Sequence, residues 1–467
     1  MSARRGPMRG APALAAAVMA AAMVAGCASM APPYERPAAP VAPVFPDETA
    51  AGAPSAVPAA DIAWQQFFVD PRLKRLIELA LQNNRDLRIA VLNIERVRAQ
   101  YQIQRSEQFP TLFLGATGLA EPNTQGSTRY YTAGLNITGY ELDLFGRVRS
   151  LTDAALQQYF ASEAARKAAQ ISLVAAVANA YLTLLADDLQ LDVTRKTLDT
   201  RLESYRLLQL KLDNGASSDY EVAQAVSLVE GARAALAQFT RQRAQDRNAL
   251  ELLVGQPLPA DLPSGLPLEQ QGLLAEVPAG LPSALLERRP DVRQAERQLQ
   301  AANANIGAAR ANFFPTITLT GSVGVASEDL TGLFSNRAWQ FAPRITLPIF
   351  DAGANQANLE RSLADRDIAV AQYERSIQTA FREVADSLAG RATLGEQLRS
   401  QQAQAQAEEQ RFRLADLRFQ NGASSYLDVL EAQRALFQSQ QLVVITQAAQ
   451  QQNLVLLYKA LGGGWKE

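Results

Sequence analysis

The composition of this 467-residue chain excludes several classes of function. Its 45 basic and 47 acidic side chains leave a net charge of -2, without the basic excess typical of nucleic-acid-binding proteins. The chain has no histidine, which excludes a histidine general base and a histidine-ligated metal site. We therefore expect no nucleic-acid partner and no metal ligand. Since the patterns GxxxxGK(S/T), GxSxG and CxxC are also absent, we expect no cofactor and no catalytic residue, and we expect that the protein is not an enzyme.

Residues 1–26 have the pattern of a secretory signal peptide, in which three arginines precede an alanine-rich apolar run. Cleavage would leave Cys27, the only cysteine, at the mature N-terminus. The sequence Val24-Ala25-Gly26-Cys27 resembles a bacterial lipobox, which implies a covalent lipid on Cys27. The residue after Cys27 is Ala28 and not an acidic residue. In signals of this kind, this favours sorting of the protein to the outer membrane. An ordinary signal peptide with a coincidental cysteine is the alternative.

Proline and alanine predominate in residues 27–62, which predicts an extended tether along the body of the protein. No segment after the signal peptide has about 18 uninterrupted apolar residues, so we expect no transmembrane helix there.

The rest of the chain repeats itself. Asn214-Gly215-Ala216-Ser217-Ser218 recurs 207 positions later as Asn421-Gly422-Ala423-Ser424-Ser425, and Phe109-Pro110 recurs 205 positions later as Phe314-Pro315. A unit of about 205 residues is far longer than a solenoid repeat, so the pattern predicts one internal duplication. We expect repeats at 63–254 and 291–462, an intervening segment at 255–290, a tail at 463–467 and approximate two-fold internal symmetry.

Each half begins with a helix, predicted at 84–108 and 291–312 by apolar residues at helical spacing. Two strands follow in each half. One apolar set alternates with a small polar set, which fits a sheet between lipid and water, although a soluble sheet with a core on one side fits equally well. The apolar set is Leu135, Ile137, Ile317, Leu319, Val323, Val325, Phe341, Pro343, Ile345 and Leu347; the polar set includes Asn136, Thr138, Tyr140, Thr316, Thr318, Thr320, Ser322, Arg344 and Thr346.

Very long helices are predicted next, at 146–213 and 353–420, because these segments lack proline. Each would be about 100 Å long. The return helices at 219–254 and 426–461 are half as long, which predicts that helix 291–312 stacks on 219–254 and helix 84–108 on 426–461. Segment 255–290 would then form a belt at mid-height.

Four strands cannot close a barrel, and an open sheet edge cannot face lipid. Several copies sharing one barrel remove this problem, and three copies would supply twelve strands. These considerations alone leave the number of copies open.

A set of short segments, in this order along the chain, resembles the TolC-like outer-membrane factor family, most closely its NodT-like lipoprotein branch. The segments are Trp64, Leu76-Ile77, Asn83-Asn84-Arg85-Asp86-Leu87, Glu141-Leu142-Asp143-Leu144-Phe145-Gly146, Leu281-Pro282-Ser283, Arg288-Arg289-Pro290-Asp291-Val292, Phe313-Phe314-Pro315, Leu347-Pro348-Ile349-Phe350-Asp351 and Ala460-Leu461-Gly462-Gly463-Gly464-Trp465.

The resemblance implies a mainly α fold with a small β part: a homotrimeric outer-membrane β-barrel, with four strands per chain, continuous with a long periplasmic α-helical barrel. It implies a passive exit duct for small toxic compounds in a tripartite efflux system. Its partners would be outer-membrane lipid, a periplasmic membrane-fusion adaptor and an inner-membrane RND-type pump. A duct for type I protein secretion and a structural coiled-coil lipoprotein are the alternatives.

The two recurring turns should lie at one end, where the resemblance implies contact with the adaptor. The residues concerned are Asn214, Gly215, Ala216, Ser217, Asn421, Gly422, Ala423 and Ser424. The resemblance also places a periplasmic gate here, formed by Leu427, Asp428 and Glu431 together with Asp219 and Glu221. Three copies of Asp428 and Glu431 would bring six carboxylates near the axis, favouring cations and raising some carboxylate pKa values by crowding. An ordinary solvated first helical turn is the alternative.

Phe419 departs from the family, in which a tyrosine often hydrogen-bonds to the neighbouring helix. Any latch must use other groups, such as Arg418 with Asp219 or Glu221. The carboxylate pairs Asp187-Asp188 and Glu408-Glu409 are expected to be solvated, because adjacent residues on a helix point in different directions.

Overall fold

The computed structural model describes residues 29–46, 61–123, 126–273 and 288–465, which fall into two compact units. The first unit contains residues through Ala38, Leu92–Glu163 and Gln294–Arg375; the second contains Ala39–Val91, Ala164–Arg293 and Ser376–Glu467. The predicted signal peptide, the predicted lipidation site Cys27 and the segment Leu281-Pro282-Ser283 lie outside the described residues.

The described part of the chain is mainly helical and contains one small sheet. Its helices are α1 (Trp64–Phe67), α2 (Pro71–Asn83), α3 (Arg85–Ser106), α4 (Arg147–Asp213), α5 (Asp219–Val254), α6 (Pro290–Ala311), α7 (Ala354–Gln420) and α8 (Tyr426–Ala460). Its strands are β1 (Leu112–Asn123), β2 (Gly126–Leu142), β3 (Thr316–Ser327) and β4 (Arg337–Thr346). The predicted helices and return helices are confirmed to within a few residues.

The long helices α4 and α7 contain 67 residues each and are therefore about 100 Å long. Carboxylates mark where they begin: Asp143 accepts hydrogen bonds from the N–H groups of Val148 and Arg149, at 3.1 and 2.8 Å. Although no transmembrane helix is expected after the signal peptide, one window of α4 meets the length and composition criteria for a membrane span. Half of that window is buried, and the core helix of a soluble protein has the same composition.

The four strands form one antiparallel sheet in the order β1-β2-β3-β4. Directly opposed residues share a face, and the register pairs Ile317 with Ile345 and Val323 with Trp339. The predicted apolar face therefore continues from β3 onto β4. β4 ends at Thr346, so Leu347 lies just beyond the strand.

The predicted face of Tyr140 is wrong. The register of β2 on β3 shifts between Ile137 and Tyr140, where Gly139 adopts φ +67°. A bulge residue changes the alternation of the side chains that follow it. Tyr140 therefore lies opposite Leu319 and shares the face of Leu135 and Ile137 instead of opposing them.

The predicted stacking of the helices is also wrong. The side-chain amide of Asn84 donates to the carbonyl of Leu253 at 2.9 Å, so α3 begins where α5 of the same half ends. In the second half, Arg289 donates to the carbonyl of Ala460 at 2.8 Å, so α6 begins where α8 ends. Stacking within a half and stacking between halves match the helix lengths equally well. The hydrogen bonds of Asn84 and Arg289 to the neighbouring helix ends show that stacking occurs within each half.

The junction of α6 and α8 is reinforced by charge. The Arg289 guanidinium is almost fully buried and binds Asp291 at 2.6 Å and Glu383 at 2.8 Å. Buried cations are stable when paired in this way. Despite its burial, hydrogen bonding to Arg289 lowers the pKa of Asp291. The residues Arg289-Pro290-Asp291 therefore have a structural role, which is to join the start of α6 to the end of α8.

The buried carboxylate of Asp70 holds the described part of the segment 255–290, which follows α5. Asp70 caps α2 through the N–H of Arg72 at 2.7 Å, and its second oxygen accepts from Tyr181, Gln271 and the N–H of Leu266, at 2.9, 3.0 and 2.9 Å. The height of this segment as a belt stays a prediction.

Residues 29–36 lie along α6 within the first unit. Arg36 and Tyr34 both donate to Glu296, at 2.7 and 3.1 Å, and Asn303 donates to the carbonyl of Pro32 at 2.8 Å. This part of the predicted tether therefore runs along the body of the protein, as expected.

Candidate functional site

The two recurring turns have one geometry. Gly215 and Gly422 both lie in the left-handed region, with φ +69° and +70°. In each turn the residue after the glycine donates back to the last turn of the helix: Ala216 to Lys211 at 2.7 Å and Ala423 to Arg418 at 2.8 Å. This six-to-one bond is the Schellman ending of a helix. The glycines therefore serve the geometry of the turns, because their left-handed backbone conformation favours glycine.

Side chains extend this geometry at both turns. Asn214 and Asn421 each donate to the carbonyl four residues earlier, at 2.7 Å. The asparagines and glycines, together with Ala216 and Ala423, are exposed, whereas Ser217 and Ser424 are half-buried. These six exposed residues offer a surface at the turns that a partner could reach.

The helices that leave the turns begin differently. Ser218 forms a capping box with Glu221, and Ser217 also donates to the Glu221 carboxylate at 2.7 Å. At the second turn Ser425 precedes the helix without a side-chain cap. The residue at the Glu221 position is there Asp428, whose shorter side chain does not close the box. The Glu221 carboxylate is therefore engaged in capping its own helix, whereas the Asp428 carboxylate is not and can contact other groups.

Both turns lie at the same end of the second unit, as predicted. Lys211, just before the first turn, places its ammonium 3.8 Å from the centre of the Phe419 ring, just before the second. Beneath them lies an apolar core to which α4, α5, α7 and α8 all contribute. Its members are Leu208, Ala225, Leu228, Phe419, Tyr426, Val429 and Leu430.

Phe419 belongs to this core instead of a latch. Its ring is buried and contacts the Tyr426 ring at a centroid distance of 5.6 Å. The suggested pairing of Arg418 with Asp219 or Glu221 is not formed among the described residues of this protomer, because Glu221 is held in its capping box and Arg418 lines a different cleft.

That cleft is the feature which sequence reasoning missed. It has a volume of about 460 Å³, and Asp428 shares its wall with Arg411 and Arg418 of α7. Glu431 lies 3.8 Å from Arg411, and both side chains are more than half exposed. Two of the predicted gate carboxylates, Asp428 and Glu431, therefore lie near arginines of α7 in the same protomer. Leu427 and Asp219 are exposed beside the cleft and the first turn. Nothing in the sequence indicates that Arg411 and Glu431, which are 20 positions apart on different helices, lie close together.

The expectation that Asp187 is solvated is wrong. Asp187 is only 7% exposed, and one of its oxygens has no hydrogen-bond partner. Burial, a hydrogen bond to Asp246 and the charges of Asp246 and Asp188 raise the pKa of Asp187 to about 7. Asp188 is exposed as predicted and pairs with Arg243. Within the described ranges, no group of three or more acidic or cysteine side chains is arranged to hold a metal ion.

The family is settled by comparison with known proteins. A family model described as "Outer membrane efflux protein" matches residues 76–256 and 281–463, one match in each half and well over half of the chain. The chain belongs to the outer membrane efflux protein family.

Curated relatives agree with this assignment. The chain is 48% identical over 458 residues to a probable efflux pump outer membrane protein, TtgC, of Pseudomonas putida, covering 96% of this chain and 94% of the relative. It is 45% identical to the outer membrane protein OprJ of Pseudomonas aeruginosa, covering 98% and 97%. Among solved structures, the open state of the Neisseria gonorrhoeae MtrE outer membrane channel matches with a TM-score of 0.86 and 43% identity, covering 94% and 99%.

In this outer membrane efflux protein the sheet is apolar on one exposed face. Leu114, Trp339 and Ile345 are 83%, 79% and 68% exposed, and the register brings apolar positions of all four strands to that face. The opposite face carries Thr318, Thr320 and Ser322 of β3. An apolar face of this kind is unfavourable in water, and contact with the lipid bilayer removes it from water.

Proposed function

We propose that this outer-membrane protein is the passive exit duct of a tripartite RND-type efflux pump for small toxic compounds. The observation that carries the proposal is the two-faced sheet: an exposed apolar face beside a face of small polar residues. An outer-membrane barrel requires this alternation, with lipid outside and water inside. A structural coiled-coil lipoprotein has no use for such a sheet.

The duct is a homotrimer. The outer edges of β1 and β4 have no strand partner among the described residues, and an unpaired edge cannot face hydrocarbon. Pairing the edges of adjacent copies closes the sheet, and three copies give a barrel of twelve strands, within the known range. The alternation of faces supports lipid contact by Ile317, Leu319 and Val323, and lumen contact by Thr318 and Thr320.

The partners are a periplasmic membrane-fusion adaptor and an inner-membrane RND-type pump. The exposed residues of the two turns form the adaptor-contacting tip, supported by their common end and common geometry. A trimer would present six such turns, so one type of adaptor hairpin could dock at similar grooves around the ring.

The gate is formed by Leu427, Asp428 and Glu431 next to these turns, with Asp219 and Glu221 at the equivalent helix start. The nearby Arg411 and Arg418 offset part of the negative charge in each protomer. The ring of carboxylates therefore favours cations less strongly than six unpaired acids would.

Cys27 carries a lipid that anchors the mature N-terminus in the outer membrane beside the barrel. The described tether at residues 29–36, fixed on Glu296, supports a chain that begins close to the first unit. Metabolic labelling with palmitate tests this directly: labelled wild type and unlabelled Cys27→Ser are expected, and unlabelled wild type would contradict it.

The function is tested by deleting the gene. Loss of the duct should raise susceptibility to several toxic compounds and leave secretion of proteins unchanged, and wild type should restore resistance. Complementation by Gly422→Val separates the tip from the barrel, because only pump assembly should fail. A deletion strain that secretes less protein but resists toxic compounds normally would favour the type I secretion alternative.

A further inference from the structure

The sheet and the segments beside it repeat with a spacing of 205 residues. Residues 109–114 correspond to residues 314–319, and residues 140–145 correspond to residues 345–350. The extra residues of the second half come only after Phe350, since α4 and α7 begin 207 positions apart. The start of β1 is therefore the counterpart of the start of β3, and the end of β2 is the counterpart of the end of β4.

Within one chain the two halves meet at the β2/β3 joint, where the end of β2 pairs with the start of β3. Next to the paired strands, the ring of Phe145 stacks on the ring of Phe314, with centroids 4.8 Å apart and planes inclined by 24°. Aromatic rings at this distance attract each other beyond the effect of their buried area. The joint thus consists of a strand register and an aromatic pair beside it. The register pairs are Tyr140–Leu319, Glu141–Thr318 and Leu142–Ile317.

The counterparts of these two rings do not meet in a single chain. Phe350 follows β4 and is 89% exposed, and Phe109 precedes β1 and is 62% exposed. Among the described residues, neither ring contacts another aromatic ring. The sheet order explains this, because β1 and β4 lie at opposite edges of the sheet. One protomer therefore contains both sides of a second joint without closing it.

A second copy closes this joint with the correct strand direction. Neighbouring strands of the sheet are antiparallel, so β4 and β1, which are three strands apart, run in opposite directions. β4 of one copy can therefore pair antiparallel with β1 of the next copy. A head-to-tail contact of this kind can repeat around a closed ring.

The repeat also predicts the register of this pairing. Both Ile345 and Leu114 lie on the apolar face of the sheet, so pairing them continues that face from one copy to the next. A slip by one residue would place Leu114 opposite Arg344 or Thr346 and would interrupt the apolar face. The counterparts of the three β2/β3 pairs are Ile345–Leu114, Thr346–Phe113 and Leu347–Leu112, with the first residue in one copy and the second in the next.

The second joint differs from the β2/β3 joint at one position. β2 has a bulge at Gly139, whereas the counterpart of Gly139 in β4 is Arg344. β4 pairs with β3 without a register shift, so its side chains alternate regularly there. The pairing of β4 with β1 of the next copy therefore continues without a bulge, and Pro343 lies opposite Ala116.

We propose that β4 of one copy pairs with β1 of the next in the register Ile345–Leu114, and that Phe350 of one copy stacks on Phe109 of the next. The proposal rests on the homotrimer proposed above and assigns the residues of its subunit joint. The exposed rings meet a second copy and not lipid, because their counterparts Phe145 and Phe314 cover each other at the same place beside the strands. Each trimer then contains three joints within chains and three between chains.

Cysteine crosslinking in isolated outer membranes tests the register. Ile345→Cys combined with Leu114→Cys places two thiols opposite each other, with Cβ atoms about 4.5–5.5 Å apart. Dibromobimane, a short thiol crosslinker, should produce covalent dimers and trimers on denaturing gels in this variant and in neither single variant. Phe341→Cys with Leu114→Cys is the matched control. Phe341 lies on the same face but about 13 Å along β4 from Ile345, so this pair should give no covalent oligomer.

The outcomes separate the joint from the duct itself. A trimer that confers resistance would overturn the register, and leave the duct in place, if its Ile345/Leu114 thiols failed to crosslink or its Phe341/Leu114 thiols crosslinked equally well. Absence of any oligomer, together with no resistance conferred by the wild-type gene, would overturn the duct and the joint together.

Substitution of the two rings tests the stacking. Phe350→Ala and Phe109→Ala should each lower the temperature at which the trimer dissociates in detergent. The double variant should lose no more than the more affected single variant, because either change already removes the pair. Phe334→Ala, which removes an exposed ring from the loop between β3 and β4, should leave this temperature unchanged. Losses that add in the double variant would show that the two rings contact separate surroundings and would overturn the stacking. Phe350→Leu and Phe109→Leu, which keep an apolar side chain, give the same test if the alanine variants do not fold.

Discussion

The buried carboxylate of Asp187 makes the stability of this protein depend on pH. Its pKa is raised from an ordinary 3.8 to about 7, by burial and by Asp246 and Asp188, against the opposing charge of Arg243. The folded state therefore retains a proton between about pH 4 and 7 that the unfolded state has lost. A group whose pKa is raised by folding loses its stabilising contribution as the pH rises through the folded value.

The magnitude follows from the two pKa values. One pKa unit corresponds to about 1.4 kcal/mol, so the site should lose about 2 kcal/mol of stability between pH 5 and 7. Asp187→Asn keeps the size and the hydrogen-bonding capacity but removes the charge. The variant should match wild type near pH 5, where Asp187 is already neutral, and should be more stable near pH 8 by about 2 kcal/mol or more.

Thermal melting of the purified protein at both pH values measures this difference. A change of 1 kcal/mol shifts the melting temperature of domains of 150–250 residues by about 2–4 °C, so a difference of a few degrees near pH 8 is expected. Asp199→Asn, which removes the same charge from the exposed side of α4, is the matched control. If Asp187→Asn and wild type showed the same melting temperature at both pH values, the burial of an uncompensated carboxylate here would be refuted.

Three further predictions concern the turns, the gate and the bulge. Gly422→Val should weaken crosslinking to the adaptor, because a β-branched residue at φ +70° is strained, by about 1–2 kcal/mol or more, and the turn must rearrange; unchanged crosslinking would count against the tip. Asp428→Ala combined with Glu431→Ala should reduce cation selectivity and block by multivalent cations in planar bilayers, and identical single-channel records would move the constriction elsewhere. Gly139→Ala should lower stability by about 1 kcal/mol through strain alone, since a Cβ there has no atom within 4 Å; a urea midpoint equal to that of wild type would disprove the strain.

Regular local patterns made much of this fold readable from the sequence. Absence of proline and a terminal Asn-Gly determine where α4 ends, and alternation determines the shared face of Leu319 and Ile345. These features depend on neighbours in the chain, so their consequences were predicted correctly. The bulge at Gly139 was not, because a glycine between two strand residues can equally well continue the strand.

Contacts between distant segments could not be read in the same way. The junction of Asn84 with Leu253 competes with an alternative of equal length, and only the observed hydrogen bond distinguishes the two. The burial of Asp187 depends on the packing of α5, and the role of Arg411 depends on its alignment with α8. Each of these requires the relative rotation of two helices, which the low amphipathicity of alanine-rich and glutamine-rich helices leaves undetermined.

The central claim, that the two faces of the sheet meet lipid and water, is tested most directly by placing one charge on each face. Leu319→Arg and Thr318→Arg are adjacent in β3 and differ in little except the face they occupy. An arginine facing lipid near the midplane costs about 2–4 kcal/mol, whereas an arginine in the lumen costs little. The yield of folded oligomer in isolated outer membranes should therefore fall for Leu319→Arg and stay near wild type for Thr318→Arg; equal yields, or the opposite order, would contradict the account.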